Sequence, residues 1–301
     1  MDNDSDKLMA RTLVQAGKKI NLNEYPTSWK DCDDLKLGDL QLTKENAEKI
    51  LEQSKEKLKR VQELLWAESS YSLLIILQGM DAAGKDSVIE HVMSGVNPQG
   101  CGVTSFKAPS DRELAHDFMW RCYNYLPERG KIGIFNRSYY EEVLVVKVHR
   151  EMLAREKLPE RKKKKGLWKE RYESINDIEH HLIRNGTIVL KFFLNESREE
   201  QKKRFMARLD DPKKQWKFNP ADLLERDHWD SYMKAYENML GATSTKESPW
   251  YIIPADQKWL TRTLVSYIIT QKIESLDIQY PKPSEEMVKA LDEAKKKLMK
   301  E

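Results

Sequence analysis

Between residues 43 and 68, Ala47, Ile50, Leu51, Leu58, Val61, Leu64 and Leu65 recur at helical spacing through a background of lysine and glutamate. That period predicts a long amphipathic helix. The pattern then changes to Y-S-L-L-I-I-L-Q, residues 71–78, a short branched run that ends at a glycine turn and predicts a buried parallel strand. Residues 86–96 read as a helix. C-G-V-T-S-F reads as a second strand, and Ser110 is placed to cap a helix running through Leu126. K-I-G-I-F follows as a third strand, while residues 139–148 mix strand and helix signals without resolving into either. Further on come a helix over about 167–185, the strand T-I-V-L-K-F-F-L and a helix capped by Ser197. A helix over 221–240, the strand W-Y-I-I-P, a helix over about 259–274 and a charged, lysine-rich final helix complete the series.

This alternation, without internal repeat or Gly/Ser linker, predicts one α/β domain over residues 1–301: a doubly wound parallel sheet with helices on both faces. Residues 1–42 are expected to be an irregular arm lying on the main domain, 43–68 an extra N-terminal helix, 71–276 the core and 277–301 a charged tail. Ligands of such sheets sit at the carboxyl ends of the strands.

The 301 residues, 40% of them hydrophobic, suffice for a substantial core, and a net charge of +3 says nothing about partners until its distribution is considered. Cys32, Cys101 and Cys122 lack C-x-x-C spacing and are odd in number, which argues against a disulfide framework or a zinc site and fits a reducing compartment. The acidic start M-D-N-D-S-D-K does not read as a secretory leader, and no run approaches about 18 apolar residues. A soluble, cytoplasmic protein is expected. The six histidines form no metal pattern, and the eight tryptophans, Trp216 among them, are expected to be packing residues.

The chemistry concentrates at L-Q-G-M-D-A-A-G-K-D, residues 77–86. Gly79, Gly84 and Lys85 fit G-x-x-x-x-G-K-[ST], but Asp86 stands where a magnesium-binding hydroxyl belongs. The loop follows a strongly apolar strand and opens a helix. In that setting the backbone N–H groups of Gly79, Met80, Ala82, Ala83 and Gly84 can hold phosphate oxygens while Lys85 adds a point charge. Asp81 and Asp86 would repel phosphate unless a divalent cation lay between, so both read as magnesium-site residues; a first-turn acid favoured by the helix dipole is the alternative for Asp86. In I-F-N-R-S-Y-Y-E-E, Asn136 and Arg137 lie on the same sheet edge as the loop, and Arg137 can stabilise a transferring phosphoryl group with its planar fork. Glu142 could touch metal or nucleotide, or be a solvated helix acid.

Residues 155–171 hold nine basic side chains against three acids. Arg155, Arg161, Lys162, Lys163, Lys164, Lys165, Lys169 and Arg171 could form a lid that closes over a polyanion, a solvated face or a nucleic-acid patch. With Arg204, Arg208, Lys213, Lys214 and Lys217, they suggest a polyanionic substrate.

Taken together, G-M-D-A-A-G-K-D, the Trp120–Arg121 pair, L-P-E-R-G-K, F-N-R-S-Y-Y-E, L-K-F-F-L, R-L-D-D-P-K-K-Q-W-K-F and S-P-W-Y-I-I-P-A-D resemble the polyphosphate kinase 2 family over residues 71 to about 270. The resemblance implies a P-loop kinase-like, three-layer α/β/α fold and transfer of phosphate between inorganic polyphosphate and adenine nucleotides, with guanine nucleotides as further candidate acceptors. It implies Mg2+, with Mn2+ able to substitute, and a homo-oligomer. It places Gly79 to Asp86 in the phosphate loop, Arg121, Asn136 and Arg137 at phosphate, and the stretch from about 150 to 171 in the lid. The F-N-R-S-Y-Y-E-E-V-L-V-V form resembles the branch acting on both nucleoside mono- and diphosphates. Open rivals are an ATP-dependent nucleotide or nucleoside kinase and a noncatalytic nucleic-acid-binding module.

Overall fold

Side chains along a buried strand alternate between its two faces, and here that alternation sorts the apolar residues into two cores. In the structure, a computed structural model describing residues 3–29, 35–37, 39–159 and 166–301, Leu73, Ile75 and Leu77 join one core while Leu74 and Ile76 join the other.

In chain order, α1 (Asn3–Thr12) leads to a small antiparallel hairpin of β1 (Lys36–Leu37) and β2 (Leu40–Gln41). The long helix α2 (Lys44–Glu68) starts where Thr43 Oγ1 accepts from Asn46 N at 3.2 Å. Then follow β3 (Ser72–Gln78), α3 (Lys85–Val92), β4 (Cys101–Ser105), α4 (Asp111–Leu114), α5 (Trp120–Tyr123) and β5 (Ile132–Asn136). A 3-10 turn (Tyr139–Val143) and α6 (Val145–Val148) settle the stretch whose sequence signals were mixed. The chain continues through α7 (Leu167–Arg184), β6 (Thr187–Asn195), α8 (Arg198–Asp210), α9 (Ala221–Asp227), α10 (Trp229–Thr243), β7 (Trp250–Pro254), α11 (Lys258–Glu274) and α12 (Glu285–Leu298).

The sheet is parallel throughout, in the order β4-β5-β3-β6-β7. Helices α2, α3 and α11 supply the core on one face, and α7 and α10 supply the other, which gives the expected three layers. The chain leaves β3 for β4, returns to β5 and crosses to β6, so β3 lies at the reversal of strand order, where such sheets hold their ligands. Among the described residues no helix is long and apolar enough to cross a membrane.

Four expectations need correction. The first residues do lie on the main domain, where Leu8 and Val14 are fully buried, Val14 N donates to Trp250 O at 2.9 Å and Leu13 bridges to Tyr251, but they are not irregular, since Asn3–Thr12 form α1. Too few apolar residues line α1 for its period to stand out. The helix expected from Ser110 to Leu126 is two short helices, because Asp117 Oδ1 accepts from Met119 N at 3.0 Å and restarts the chain there. Helix α3 ends at Val92, since Gly95 takes a φ of +88°. The helix expected over 221–240 breaks at His228.

Because Leu8 is fully enclosed, Leu8→Ala should lower the unfolding free energy by about 2–4 kcal/mol, the usual cost of such a cavity. Urea denaturation measures it, and a loss below about 0.5 kcal/mol would mean that α1 is not part of the core.

Candidate active site

The loop between β3 and α3 packs tightly on its neighbour. A Cβ on Gly79 would lie 3.0 Å from Leu194 O, at the end of β6, so only glycine allows this approach. Gly84, with a φ of +100°, turns the chain into α3. Ala82 also has a positive φ, +68°, and Ala83 N closes a turn onto Met80 O at 3.1 Å. Lys85 is buried and curls back over the loop, its Nζ donating to Gly79 O at 2.7 Å and Met80 O at 3.0 Å. Burial lowers its pKa, as does the Arg137 charge, while Asp81, Glu141 and Asp86 act in the opposite sense.

Strand register brings the second motif to this loop. Leu77 of β3 pairs with Asn136 of β5, and Arg137 N donates to Leu77 O at 3.1 Å. Asn136 Nδ2 then donates to Asp86 Oδ1 at 2.6 Å. Arg137 forms a short ion pair with Asp81 Oδ1 and donates to Glu141 Oε2 at 3.3 Å. Its pKa is raised, first by Glu141 and also by Asp81, against the cost of burial. Arg137 holds a φ of +63°, a conformation that costs a non-glycine residue roughly 1–3 kcal/mol and needs the surroundings to enforce it. Asp81, Lys85, Asp86, Asn136 and Arg137 thus meet at the carboxyl ends of β3 and β5.

Other residues take different places from those expected. Arg204 is buried behind the loop, with Nη1 donating to Ala82 O at 2.9 Å, Nη2 to Ala255 O at 2.6 Å and Nε to Glu200 Oε1 at 2.9 Å. It braces the loop from α8, as does Gln201, whose Nε2 donates to Asp81 O at 2.9 Å. Glu142 is buried and turned away from the loop toward Arg171, whose Nη1 donates to its backbone oxygen at 2.8 Å and to Oε2 at 3.0 Å. Arg171 also pairs with Glu156 and lies 5.5 Å from the ring centres of both Phe118 and Trp168. It is a buried anchor on α7, not an exposed lid cation.

Arg155 and Lys169 are exposed, with acidic neighbours Asp111 at 3.9 Å and Glu173 at 3.6 Å. Arg161, Lys162, Lys163, Lys164 and Lys165 lie outside the described residues. Arg121 pairs with Glu113 at 3.1 Å and donates to Lys107 O at 2.7 Å. Arg208 reaches Lys217 O at 3.3 Å and lies 3.8 Å from Asp222, while Lys214 pairs with Asp211 at 2.7 Å. Trp216, expected to pack, is 77% exposed, with Lys217 Nζ 5.1 Å from its ring centre.

Two acids at this site were not singled out from the sequence. Glu141, beside the chosen Glu142, is the one that meets Arg137. Asp222 of α9 lies 3.8 Å from Arg208 Nη1, and its pKa is raised by burial and by the charge of Asp81. Among the described residues no group of three or more His, Cys, Asp or Glu could hold a metal by itself. The donors present nevertheless suit magnesium, which binds one or two carboxylates and completes its shell with water and substrate phosphate. Asp81 and Asp86 each engage Oδ1 within the protein, and the second oxygen of each takes no hydrogen bond among the described residues.

A glycine-cradled loop at the reversal point of a parallel sheet, with a lysine and an arginine converging on it, defines a P-loop phosphotransferase. The family model of polyphosphate kinase 2 (PPK2) matches residues 41–281, and the chain belongs to that family. It is similar to an ADP-polyphosphate phosphotransferase of Rhodopseudomonas palustris, 48% identical over 95% of this chain and 97% of that protein. An AMP/ADP-polyphosphate phosphotransferase of Meiothermus ruber is 45% identical over 75% of this chain and 81% of that protein. The crystal structure of polyphosphate kinase 2 from Arthrobacter aurescens TC1 superimposes with a TM-score of 0.80 at 36% identity, covering 90% of this chain and 91% of that one.

Glu196, at the end of β6, is buried with Arg204 Nη1 2.9 Å from Oε1, yet neither carboxyl oxygen is in hydrogen-bonding alignment with a partner. Burial pushes its pKa up from 4.5 to about 8. The folded state therefore holds a proton that the unfolded chain releases, and stability falls as pH rises between these values. Glu196→Gln should leave the melting temperature nearly unchanged at about pH 5 and raise it above the parent's at about pH 9. Thermal unfolding across pH reads this, and an equal shift at both ends would refute it.

Proposed function

We propose that the chain transfers phosphoryl groups from inorganic polyphosphate to AMP and ADP, reversibly and with Mg2+, Mn2+ being able to substitute; GDP offers the same acceptor chemistry. The observation that carries this reading is the meeting of Lys85, the Asp86–Asn136 pair and the Asp81–Arg137 pair on one sheet edge. The names of the relatives, which specify ADP in one case and AMP or ADP in the other, support the choice of acceptors.

In this reading a terminal phosphate oxygen of the acceptor attacks the end phosphorus of polyphosphate in line. The bond to the next bridging oxygen breaks, and the chain leaves one phosphate shorter. The attacking oxygen is already ionised near neutral pH, so no strong base is needed, and positioning and charge stabilisation account for the rate. The loop N–H groups and Lys85 hold phosphate oxygens. Arg137, its fork steadied by Asp81 and Glu141, faces the charge that spreads over the transferring group. Asp81 and Asp86 are the residues that would hold magnesium, which when bound neutralises phosphate charge. Arg155, Lys169, Arg208, Lys214 and Lys217 are the exposed or rim cations left to receive the length of the polyanion, with Arg121 beside them. Arg204 and Arg171 serve by holding the loop and the root of the basic segment.

Self-association belongs to the same proposal. Met287, Val288, Leu291 and Leu298 of α12 form an exposed apolar stripe, which supports it.

AMP or ADP supplied with polyphosphate and magnesium, without ATP, should yield ADP and ATP. Product formed only when ATP is the donor would overturn the assignment. Lys85→Ala and Asp86→Ala should each lower kcat by about 100-fold or more while the melting temperature holds, in keeping with the loss of one preorganised charge contact. Near-parental turnover at saturating magnesium would place the site elsewhere.

A further inference from the structure

Lys191 sits in the middle of β6, fully buried on the face packed by α7 and α10, where a charge costs much and an apolar side chain would fit the surroundings. Its Nζ donates to Glu179 Oε2 at 2.6 Å, Thr243 O at 2.7 Å and Tyr140 Oη at 3.2 Å. Glu179, on α7 and equally buried, gathers more donors. Its Oε1 accepts from Tyr139 Oη at 2.9 Å and Tyr140 Oη at 2.7 Å, and its Oε2 accepts from Ser248 Oγ at 3.0 Å. One carboxylate thus joins β6, α7, the segment before β7 and two consecutive tyrosines.

Those tyrosines begin two residues after Arg137. The segment leaving Arg137 is tied down on one side by Ser138 Oγ, which accepts from Tyr140 N at 3.2 Å, and on the other by the two hydroxyls on Glu179. Farther along, Arg171 of the same helix holds the backbone oxygen of Glu142. The whole turn is therefore docked on α7. Such over-determination is what a left-handed arginine requires.

We propose that the Lys191–Glu179 pair is a positioning device for phosphoryl transfer: it aims Arg137 at the loop through the hydroxyls of Tyr139 and Tyr140. This rests on the reading of Arg137 given above. Lys191 holds the carboxylate in one rotamer through its hydrogen bond to Oε2, and the carboxylate fixes both rings through Oε1. Neither residue of the pair touches substrate.

The test uses the full chain and compares kcat, KM and melting temperature. Tyr139→Phe/Tyr140→Phe removes two hydroxyls and no volume of consequence. It should lower kcat about tenfold, leave KM for ADP and for polyphosphate within about twofold, and shift melting by only a few degrees. Added to Arg137→Ala, the same pair should change kcat by less than about twofold, because the effect runs through Arg137. Lys191→Met/Glu179→Leu, which fills the site without charge, should fold and show the same loss of kcat. Parental kcat in either double variant, or an undiminished loss on the Arg137→Ala background, would overturn the positioning role. Unchanged turnover in Arg137→Ala alone would overturn the site reading and this inference with it.

Discussion

The ion pair between Arg137 and Asp81 joins the end of β5 to the loop after β3, and the geometry of the site follows from it. The chain turns sharply after Asn136, with Arg137 in the left-handed region, and from there its guanidinium meets that carboxylate. The turn then needs support from behind. The support comes from polar contacts in the core: Ser138 on the Tyr140 backbone, two tyrosine hydroxyls on Glu179, and Lys191 beneath them.

Around this pair the site balances charge within a small volume. Lys85 is desolvated and held by loop carbonyls, Asp86 is fixed by Asn136, and Glu141 shares Arg137 with Asp81. The arginine is thus held by two carboxylates and the lysine by backbone oxygens. The same division explains why some arginines lie behind the site. Arg204 has its donors committed to backbone oxygens and Glu200, so it stiffens the loop.

Much of the architecture was legible in the chain. Short apolar, branched runs located the sheet strands, the helical period and cap residues located most of the long helices, and the strand-glycine-helix sequence located the loop. Asp81 and Asp86 stood out because carboxylates in a phosphate loop call for a reason. What could not be read was direction. Glu141 and Glu142 are adjacent, and only the 3-10 turn decides which faces Arg137 and which faces Arg171. A lysine inside L-K-F-F-L gives no hint of its partners, since Glu179 lies 12 residues earlier and the tyrosines about 50. Basic residues likewise look alike in sequence, whether buried as anchors, as Arg171 and Arg204 are, or exposed, as Lys169 is. The helix at the start of the chain was not legible, because the residues it packs on belong to a distant partner, β7.

Phosphorus NMR of the full chain with polyphosphate, ADP and magnesium tests the central claim of direct transfer from chain end to nucleotide. The account expects the resonances of ATP to grow as the polyphosphate signal declines, with no orthophosphate formed on the way. Orthophosphate appearing in step with polyphosphate loss, or polyphosphate consumed without ATP, would contradict it.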